Sequence, residues 1–244
     1  MFYQPSDYVL LAIFAHPDDE TYRAGGMLTL LARQGVRVQV VTATRGEAGS
    51  VGQSGSSAPE ELAALRQNEL RNACQILQIE PPLILGYKDG HLAYHDPREL
   101  CFDLHQIMEE VKPQVLLSFG PDGLSGHSDH IVIGHYTDEA FQKYQMAGAL
   151  YHLAVPVSIK QSVGMNQIIA VPDEQITFSL DVRSVLETKM KAICSHASQL
   201  SSSPIMSQSV ECQRMFLGIE HYVCILTLNP DKDFLPLLLK KYML

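Results

Sequence analysis

The chain has 244 residues, of which 46% are hydrophobic and 18% are charged. This composition supplies enough apolar side chain for a substantial core and carries too little charge for a disordered chain. The 18 basic and 27 acidic residues give a formal net charge of −9, which argues against a globally basic nucleic-acid binder. We expect one domain over residues 1–244, with a core at about 8–200 and a C-terminal elaboration over 201–244.

The N-terminal region predicts a buried strand rather than a leader or a membrane segment. Its longest unbroken apolar run, Tyr8–Ala15, has eight residues, whereas a membrane-spanning helix needs about 20. Residues 1–7 carry no positive charge, and no small-residue cleavage pattern follows them, so we expect no signal peptide and a cytoplasmic protein. The five cysteines include no Cys-x-x-Cys pair, which fits free thiols in a reducing compartment.

Strands and helices alternate along the first part of the chain. The predicted strands are Tyr8–Ala15, Val36–Thr44, Pro82–Leu85, Pro113–Phe119 and Ala149–Val155. The predicted helices between them are Met27–Ala32, Pro59–Leu77, Arg98–Val111 and Ser128–Met146. Because continuous apolar runs fit strands that are covered on both faces, this alternation predicts a Rossmann-like, doubly wound α/β fold with a mostly parallel sheet.

The remainder of the chain is less regular. Gln175–Leu180 is predicted as a strand and Val182–Leu200 as a helix. Three polar segments are predicted as surface loops, namely Arg45–Ala58, Gly86–Pro97 and Ser201–Ser209. Specificity in such folds resides in loops, so we expect these segments to contribute to substrate selection.

Two segments dense in histidine and aspartate directly follow predicted strands. His16–Glu20 (His-Pro-Asp-Asp-Glu) follows the first strand, and His127–His130 (His-Ser-Asp-His) follows the fourth. Sites in open parallel sheets form at the carboxyl ends of the strands, near the point where the strand order reverses. We therefore expect the two segments to lie together at one edge of the sheet.

The residue types in these two segments suit a catalytic metal ion. His16, Asp19 and His130 provide three ligands, and three protein ligands with one open position are typical of catalytic zinc. Asp18 can point away from Asp19 on extended backbone and act as general base toward a metal-activated water. His127 shares a helix face with His130, where it can meet a developing oxyanion or protonate a leaving group.

Two features of this site stay open at the level of sequence. Asp129 can orient one of the imidazoles of His127 and His130 and raise its pKa. The same ligand set accepts zinc, iron(II) or another divalent ion.

The two segments also resemble a known family. Ala15–Glu20 and Gly126–His130 are similar to the two metal motifs of the LmbE-like (PIG-L) family of zinc-dependent de-N-acetylases. Further segments match in the same order, namely Thr44–Glu47, Arg66–Leu70, Gly86–Gly90 and His196–Gln199. The resemblance covers roughly residues 8–200. Ser128 stands where many members carry proline, a departure that alters the rigidity of the loop rather than its ligands.

The resemblance implies roles for individual residues. It implies zinc held by His16, Asp19 and His130, with Asp18 as general base and His127 as the electrophilic or acid partner. It also implies substrate contacts from Arg66, Glu47, Asp89 and His196. The implied reaction is hydrolysis of an N-acetyl group on an N-acetylglucosamine-type sugar or conjugate, and either Asp18 or His127 can protonate the leaving amine.

Two other functions stay open. The same site can serve an amidase that cleaves a sugar–thiol conjugate, which only substrate profiling separates from a deacetylase. A non-catalytic sugar-binding module would lack a metal ligand or the general base. The expected ligands and catalytic groups are all present here, namely His16, Asp18, Asp19, His127 and His130. The expected partner is a small N-acetylated sugar or glycoconjugate, without nucleic acid or a membrane span, and a homo-oligomer is compatible with the sequence.

Overall fold

The computed structural model describes residues 4–49, 58–144 and 147–244. In these residues one sheet contains the strands β1 (Val9–Phe14), β2 (Arg37–Thr44), β3 (Leu83–Tyr87), β4 (Val115–Phe119), β5 (Ala149–Ala154), β6 (Phe178–Asp181) and β7 (Ile219–Thr227). Their order is β3-β2-β1-β4-β5-β7-β6. β1 to β5 pair in parallel, and β7 runs antiparallel to both β5 and β6. The predicted α/β fold with a mostly parallel sheet is confirmed.

The helices of the described residues are α1 (Asp19–Tyr22), α2 (Gly25–Ala32), α3 (Pro59–Leu77), α4 (Pro97–Val111), α5 (Ser128–Lys143), α6 (Val157–Val163), α7 (Leu186–Ser195), α8 (Val210–Leu217) and α9 (Leu235–Leu239). α3 begins with a proline and two glutamates in its first turn, which is the arrangement that the fixed proline φ and the helix dipole favour. α5 stops at Lys143, and residues 145–146 of the predicted helix lie outside the described residues, as do residues 50–57 of the predicted loop Arg45–Ala58.

The second half of the chain departs from the sequence-based expectation. The predicted helix Val182–Leu200 is divided into a 3-10 turn at Arg183–Val185 and the shorter α7. The sequence did not predict β7 or the short helices α6, α8 and α9. β7 lies between β5 and β6 and joins them, so residues near the C-terminus complete the sheet.

The sheet is buried on both faces at its centre. All six residues of β1 and all five of β4 are buried, which explains the continuous apolar runs of these strands. A second apolar cluster, which includes Val163, Ile193, Ile205 and Phe216, packs beside the carboxyl ends of β4 and β5. Within the described ranges no helix is both long and apolar enough to cross a bilayer.

The strand order reverses between β1 and β4. The chain runs from β1 outward to β2 and β3, and then returns to place β4 and β5 on the other side of β1. Segments that leave the carboxyl ends of β1 and β4 therefore meet at the crevice where ligands bind in such sheets. These are the segments that carry His16–Glu20 and His127–His130.

Candidate metal centre and active site

The three predicted ligand residues come together at the β1–β4 crevice. His16 Nδ1 lies 3.2 Å from His130 Nε2, His130 Nε2 lies 3.2 Å from Asp19 Oδ1, and His16 Nδ1 lies 3.6 Å from Asp19 Oδ2. A tetrahedral ion with bonds of about 2.0–2.1 Å places its ligand atoms about 3.3–3.4 Å apart. The two oxygens of Asp19 face different histidines, Oδ1 facing His130 and Oδ2 facing His16, so the two imidazole nitrogens and this carboxylate surround a space that fits one divalent cation.

Other groupings of potential ligands share His16. The nitrogens of His16, His127 and His130 lie within 4.8 Å of one another, as do ligand atoms of His16, Asp89 and Asp129. The two nitrogens of the His16 ring separate the roles of these groups. Nδ1 faces His130 and Asp19, whereas Nε2 faces the carboxylates of Asp89 and Asp129.

The two carboxylates behind His16 orient its ring. Nε2 lies 3.1 Å from Asp89 Oδ1 and 3.3 Å from Asp129 Oδ2. Asp129 is fully buried and also accepts hydrogen bonds from the backbone N–H groups of Gly90 and Leu92. A ligating histidine that donates its other N–H to a carboxylate is the arrangement that fixes the tautomer for metal binding. The sequence placed Asp129 beside His127 or His130, whereas in the structure the ring that its carboxylate contacts is that of His16.

The same contacts shift the protonation of the ligands. Burial lowers the pKa of His16, but hydrogen bonds to Asp129, Asp19 and Asp89 outweigh burial and raise it well above its ordinary value. Burial raises the pKa of Asp19, but the charge of His130 and hydrogen bonds to both histidines hold it well below the usual range. A cation at this site must therefore displace a proton from His16.

His130 is held by its helix and by the end of β4. Its Nδ1 lies 3.0 Å from the carbonyl oxygen of Gly123, and its ring stacks on Phe119 with centroids 4.1 Å apart and an interplanar angle of 7°. Because a carbonyl oxygen can only accept, Nδ1 carries the proton and Nε2 presents its lone pair to the ligand cluster. The structure thus assigns the tautomer that a metal ligand needs.

Asp18 lies beside the ligands but does not join them. Its backbone has φ 116° and ψ −25°, a left-handed conformation that is uncommon for aspartate. Its N–H donates to Glu20 Oε2 at 3.0 Å, and its Oδ2 lies 3.3 Å from Arg66 Nη2. Burial raises the pKa of Asp18 to about 6, although the charge of Arg66 opposes the shift. A carboxylate with that pKa is suited to accepting a proton near neutral pH.

His127 is exposed at the first turn of α5. Its Nδ1 accepts a hydrogen bond of 3.2 Å from the backbone N–H of Asp129, which caps the helix. Its ring centroid lies 4.8 Å from that of His16 and 4.9 Å from that of His130. Burial and the charges of these two histidines lower the pKa of His127. The neutral ring therefore carries its proton on Nε2, which leaves a donor available at the site.

The residues for which the resemblance implies substrate contacts lie close to this centre. Arg66 is buried, and its guanidinium donates to the carbonyl oxygens of Gly46 at 2.9 Å and Pro17 at 2.6 Å. Glu47 accepts from the N–H of Asp89 through Oε1, while its Oε2 is buried without a partner among the described residues. Arg66 and Asp89 thus contact Asp18 and His16, respectively.

His196 takes a different position. Its ring is 0% exposed, and Nε2 lies 2.7 Å from Oε1 of the equally buried Glu20. The charge of Glu20 and its hydrogen bond raise the pKa of His196 against the opposing effect of burial. In this structure the imidazole contacts Glu20, and Glu20 in turn holds the backbone of Asp18.

Some residues of the site were not singled out from the sequence. Glu20 ends the first motif, and its adjacency to Asp18 and Asp19 was the available signal. Glu69 holds the segment after α7 by accepting hydrogen bonds from the N–H and the hydroxyl of Ser198. Phe119 is the last residue of β4, and this position at a strand end was the only sequence feature that could have indicated its place in the site.

The chain is similar to known proteins in sequence and in fold. The model of the PIG-L family, described as GlcNAc-PI de-N-acetylase, matches residues 11–141. A curated relative from Saccharopolyspora erythraea, named 1D-myo-inositol 2-acetamido-2-deoxy-α-D-glucopyranoside deacetylase 1, is 31% identical over 236 residues, which cover 78% of this chain and 77% of the relative.

Solved structures share the fold. The N,N'-diacetylchitobiose deacetylase from Pyrococcus horikoshii superposes with a TM-score of 0.66 at 24% identity, covering 89% of this chain and 83% of the other. The 4-carboxy-2-hydroxymuconate hydratase GalB from Pseudomonas putida KT2440 superposes with a TM-score of 0.69 at 22% identity, covering 90% and 96%. Because one of these is a hydratase, the fold alone does not determine the reaction.

Proposed function

The chain belongs to the PIG-L family, and on that premise we propose that it is a metal-dependent deacetylase of an N-acetylglucosamine-type sugar or sugar conjugate. The observation that carries the proposal is the ligand cluster of His16, Asp19 and His130 with a carboxylate of raised pKa, Asp18, directly beside it. The curated relative named above deacetylates a glucosamine–inositol conjugate by its name, which supports this substrate class.

Zinc is the ion that we propose for the site. Two neutral imidazole nitrogens and one carboxylate form a borderline-hard ligand set that suits zinc, and Fe²⁺ suits it as well. When bound, such an ion lowers the pKa of a water molecule and polarises the acyl carbonyl. Asp19 and His130 line a cavity, so substrate or water can reach the ligand cluster from that cavity.

Asp18 acts as general base in this proposal. Its carboxylate accepts the proton of the attacking water. Arg66 lies 3.3 Å from Asp18 Oδ2 and holds the carboxylate in place through this charged contact. The hydrolysis breaks the amide C–N bond and leaves acetate and a free amine, and either Asp18 or His127 returns the proton to that amine.

His127 stabilises the oxyanion in this proposal. Its Nε2–H is the donor that the cap hydrogen bond to Nδ1 leaves available. A preorganised donor aimed at a developing oxyanion contributes about 3–4 kcal/mol to the transition state. Asp129 serves two groups, since its N–H fixes the His127 ring and its carboxylate lies 3.3 Å from His16 Nε2.

Two substitutions test the division of roles. We expect Asp18→Ala to keep the metal and to lose roughly 10²–10⁴ in rate, as for removal of a general base. Asp19→Ala should lose the metal itself. The measurements are metal content by mass spectrometry and amine release from N-acetylglucosamine and from 1D-myo-inositol 2-acetamido-2-deoxy-α-D-glucopyranoside. Near-full activity of metal-loaded Asp18→Ala would exclude Asp18 as the base. If the native enzyme released an amine from a sugar–thiol conjugate and from neither of these two substrates, the amidase would be favoured.

A further inference from the structure

An apolar cavity of ≈ 290 Å³ opens directly beside the ligand cluster. Asp18, Asp19 and His130 form one part of its wall. Most of the remaining lining surface is apolar and includes Leu153, Val155, Met165, Ile168, Ile205 and Phe216, while Ser125, Gln167, Gln199, Ser202 and Ser203 add polar side chains. Several of these side chains belong to the second apolar cluster, so the cavity is a gap between the site and that cluster.

The cavity is much larger than the acetyl group needs. A methyl group fills about the volume of one water molecule, roughly 30 Å³, whereas the cavity holds several times that volume. Its mainly apolar wall suits a sugar ring less well than an alkyl chain, because a hydroxyl group buried against apolar side chains loses its hydrogen bonds to water. The size of the cavity and its largely apolar lining both favour an alkyl chain.

The acyl and amine halves of the substrate must leave the reacting carbon in different directions. His127, which is exposed and lies beside the ligands, is not among the side chains that line the cavity. The side of the metal centre at which His127 lies is polar and faces solvent, so it suits the sugar amine. The cavity, which His127 does not line, then receives the acyl group.

We propose that this cavity is an acyl subsite and that the enzyme hydrolyses N-acyl glucosamine derivatives with acyl chains of about four to eight carbons. The inference rests on the proposed amide hydrolysis. Water adds to the acyl carbon, the C–N bond breaks, and the products are a short fatty carboxylate and the free amine. Ile168 and Phe216 are then specificity-determining residues, because they bound the space that the chain fills.

Among the polar side chains that line the cavity, Arg23 gives the proposal a sharp alternative. The Arg23 guanidinium donates to the carbonyl oxygens of Phe216 at 2.6 Å and Ala154 at 3.4 Å, and it lies over the Phe216 ring. Its Nε is buried without a partner among the described residues. If Arg23 recognises the substrate, a chain that ends in a carboxylate would be preferred over an alkyl chain of the same length.

The first test is hydrolysis by the zinc-loaded enzyme of N-acetyl-, N-butanoyl- and N-hexanoylglucosamine. We expect kcat/KM to rise with chain length, by up to about fourfold for each methylene that enters the cavity. N-adipoylglucosamine, which has the same chain length as the hexanoyl compound and a terminal carboxylate, should be slower. A preference for N-acetyl over N-hexanoyl, or for N-adipoyl over N-hexanoyl, overturns the proposal.

A binding experiment separates the subsite from the reaction. Calorimetric titration of the zinc-loaded protein with acetate, butanoate, hexanoate and octanoate needs no turnover. Affinity that rises with chain length while no N-acylglucosamine is hydrolysed would support the subsite and contradict the proposed function. Affinity that does not change with chain length overturns the subsite, whatever the activity.

A matched pair of substitutions locates the effect. Ile168→Phe fills part of the cavity and should reduce the hexanoate-to-acetate affinity ratio by at least tenfold, about two methylenes' worth. Ile225→Phe makes the same change on β7 at a side chain that does not line the cavity and should keep the ratio. An equal loss in both variants, or a loss in neither, contradicts the assignment.

A last comparison tests which half of the substrate enters the cavity. If octyl N-acetylglucosaminide is hydrolysed faster than N-octanoylglucosamine, the aglycone rather than the acyl chain occupies the cavity, and the proposal is overturned.

Discussion

Asp18 adopts a backbone conformation that its surroundings must maintain. A non-glycine residue in the left-handed region costs of order 1–3 kcal/mol and persists only where neighbouring groups fix it. Here Glu20 Oε2 accepts the Asp18 N–H at 3.0 Å, and the Thr21 hydroxyl donates to the Asp18 carbonyl oxygen at 2.8 Å. His196 holds the other oxygen of Glu20 at 2.7 Å. Glu20 and His196 are therefore positioning residues that act through Asp18.

Glu20→Gln tests this role. The variant keeps the shape of the side chain but loses the charge that pairs with His196, so the hold on the Asp18 backbone weakens. We expect kcat to fall by about 10–100-fold, less than the roughly 10²–10⁴ lost when the general base itself is removed. KM and metal content should stay unchanged, because the ligands are not touched. Steady-state kinetics with metal analysis checks the prediction.

Glu220→Gln is the matched control. Glu220 is also fully buried, and it accepts from Lys189 Nζ at 2.7 Å and from the backbone N–H of Gly26 at 2.7 Å, away from Asp18. This variant should lower the free energy of unfolding without a comparable loss of kcat. If both variants lowered kcat to the same extent, Glu20 would have only a general structural role.

At the level of elements, the segment after β2 packs against α3 through a close glycine contact. Gly46 has φ +74°, and a Cβ at this position would lie 2.5 Å from Arg66 Nη1. The Gly46 carbonyl oxygen accepts from the same nitrogen at 2.9 Å. The absence of a side chain at residue 46 therefore allows α3 to present Arg66 to Asp18.

Gly46→Ala should separate backbone strain from this contact when it is compared with Gly86→Ala. Gly86 has φ +80°, and a Cβ there would meet nothing within 4 Å among the described residues. Both variants carry the left-handed penalty of roughly 1–2 kcal/mol in the free energy of unfolding. Only Gly46→Ala also displaces Arg66, so only this variant should lose tenfold or more of kcat/KM. Urea unfolding and kinetics measure the two effects, and equal activity in the two variants would contradict the contact argument.

For the molecule as a whole, the sequence predicts the parallel part of the sheet well. β1 and β4 are buried on both faces, so their apolar runs are unbroken and easy to recognise. β7 was not predicted because its sequence includes Glu220 and His221, which are buried in this fold only through partners on other elements. Such pairings depend on tertiary structure and leave no local pattern.

In the site, too, local sequence patterns predict some contacts, whereas contacts between distant segments leave no pattern. Position after a strand end was sufficient to bring His16, Asp19 and His130 together, because parallel strands share one carboxyl edge. The contact between Glu20 and His196 joins residues that are 176 positions apart. No spacing rule within one sequence predicts such a pair, and for the same reason the sequence did not predict that the Asp129 carboxylate contacts His16.

The acid stability of the whole fold should depend on His221. Burial, with the charge of Arg23, lowers the pKa of this ring to about 3, and the opposing charge of Asp173 is weaker. Its Nδ1 lies 2.7 Å from Ser179 Oγ, in the pairing of β6 with β7. In the unfolded chain the pKa returns to about 6.5. Between pH 6.5 and 3 the unfolded state therefore binds a proton that the folded state does not.

The sign of the effect follows from that difference. Stability from His221 is fully present above pH 6.5 and is lost as the pH falls toward 3, by at most about 1.4 kcal/mol per pH unit. His221→Gln removes the titrating group, so the free energy of unfolding of the variant should fall less steeply between pH 6.5 and 4.5 than that of the native chain. Urea unfolding of both proteins in a chelator, which equalises the contribution of the metal site, measures the two slopes. Parallel slopes would show that His221 is protonated in the folded state, in contradiction to its burial beside Arg23.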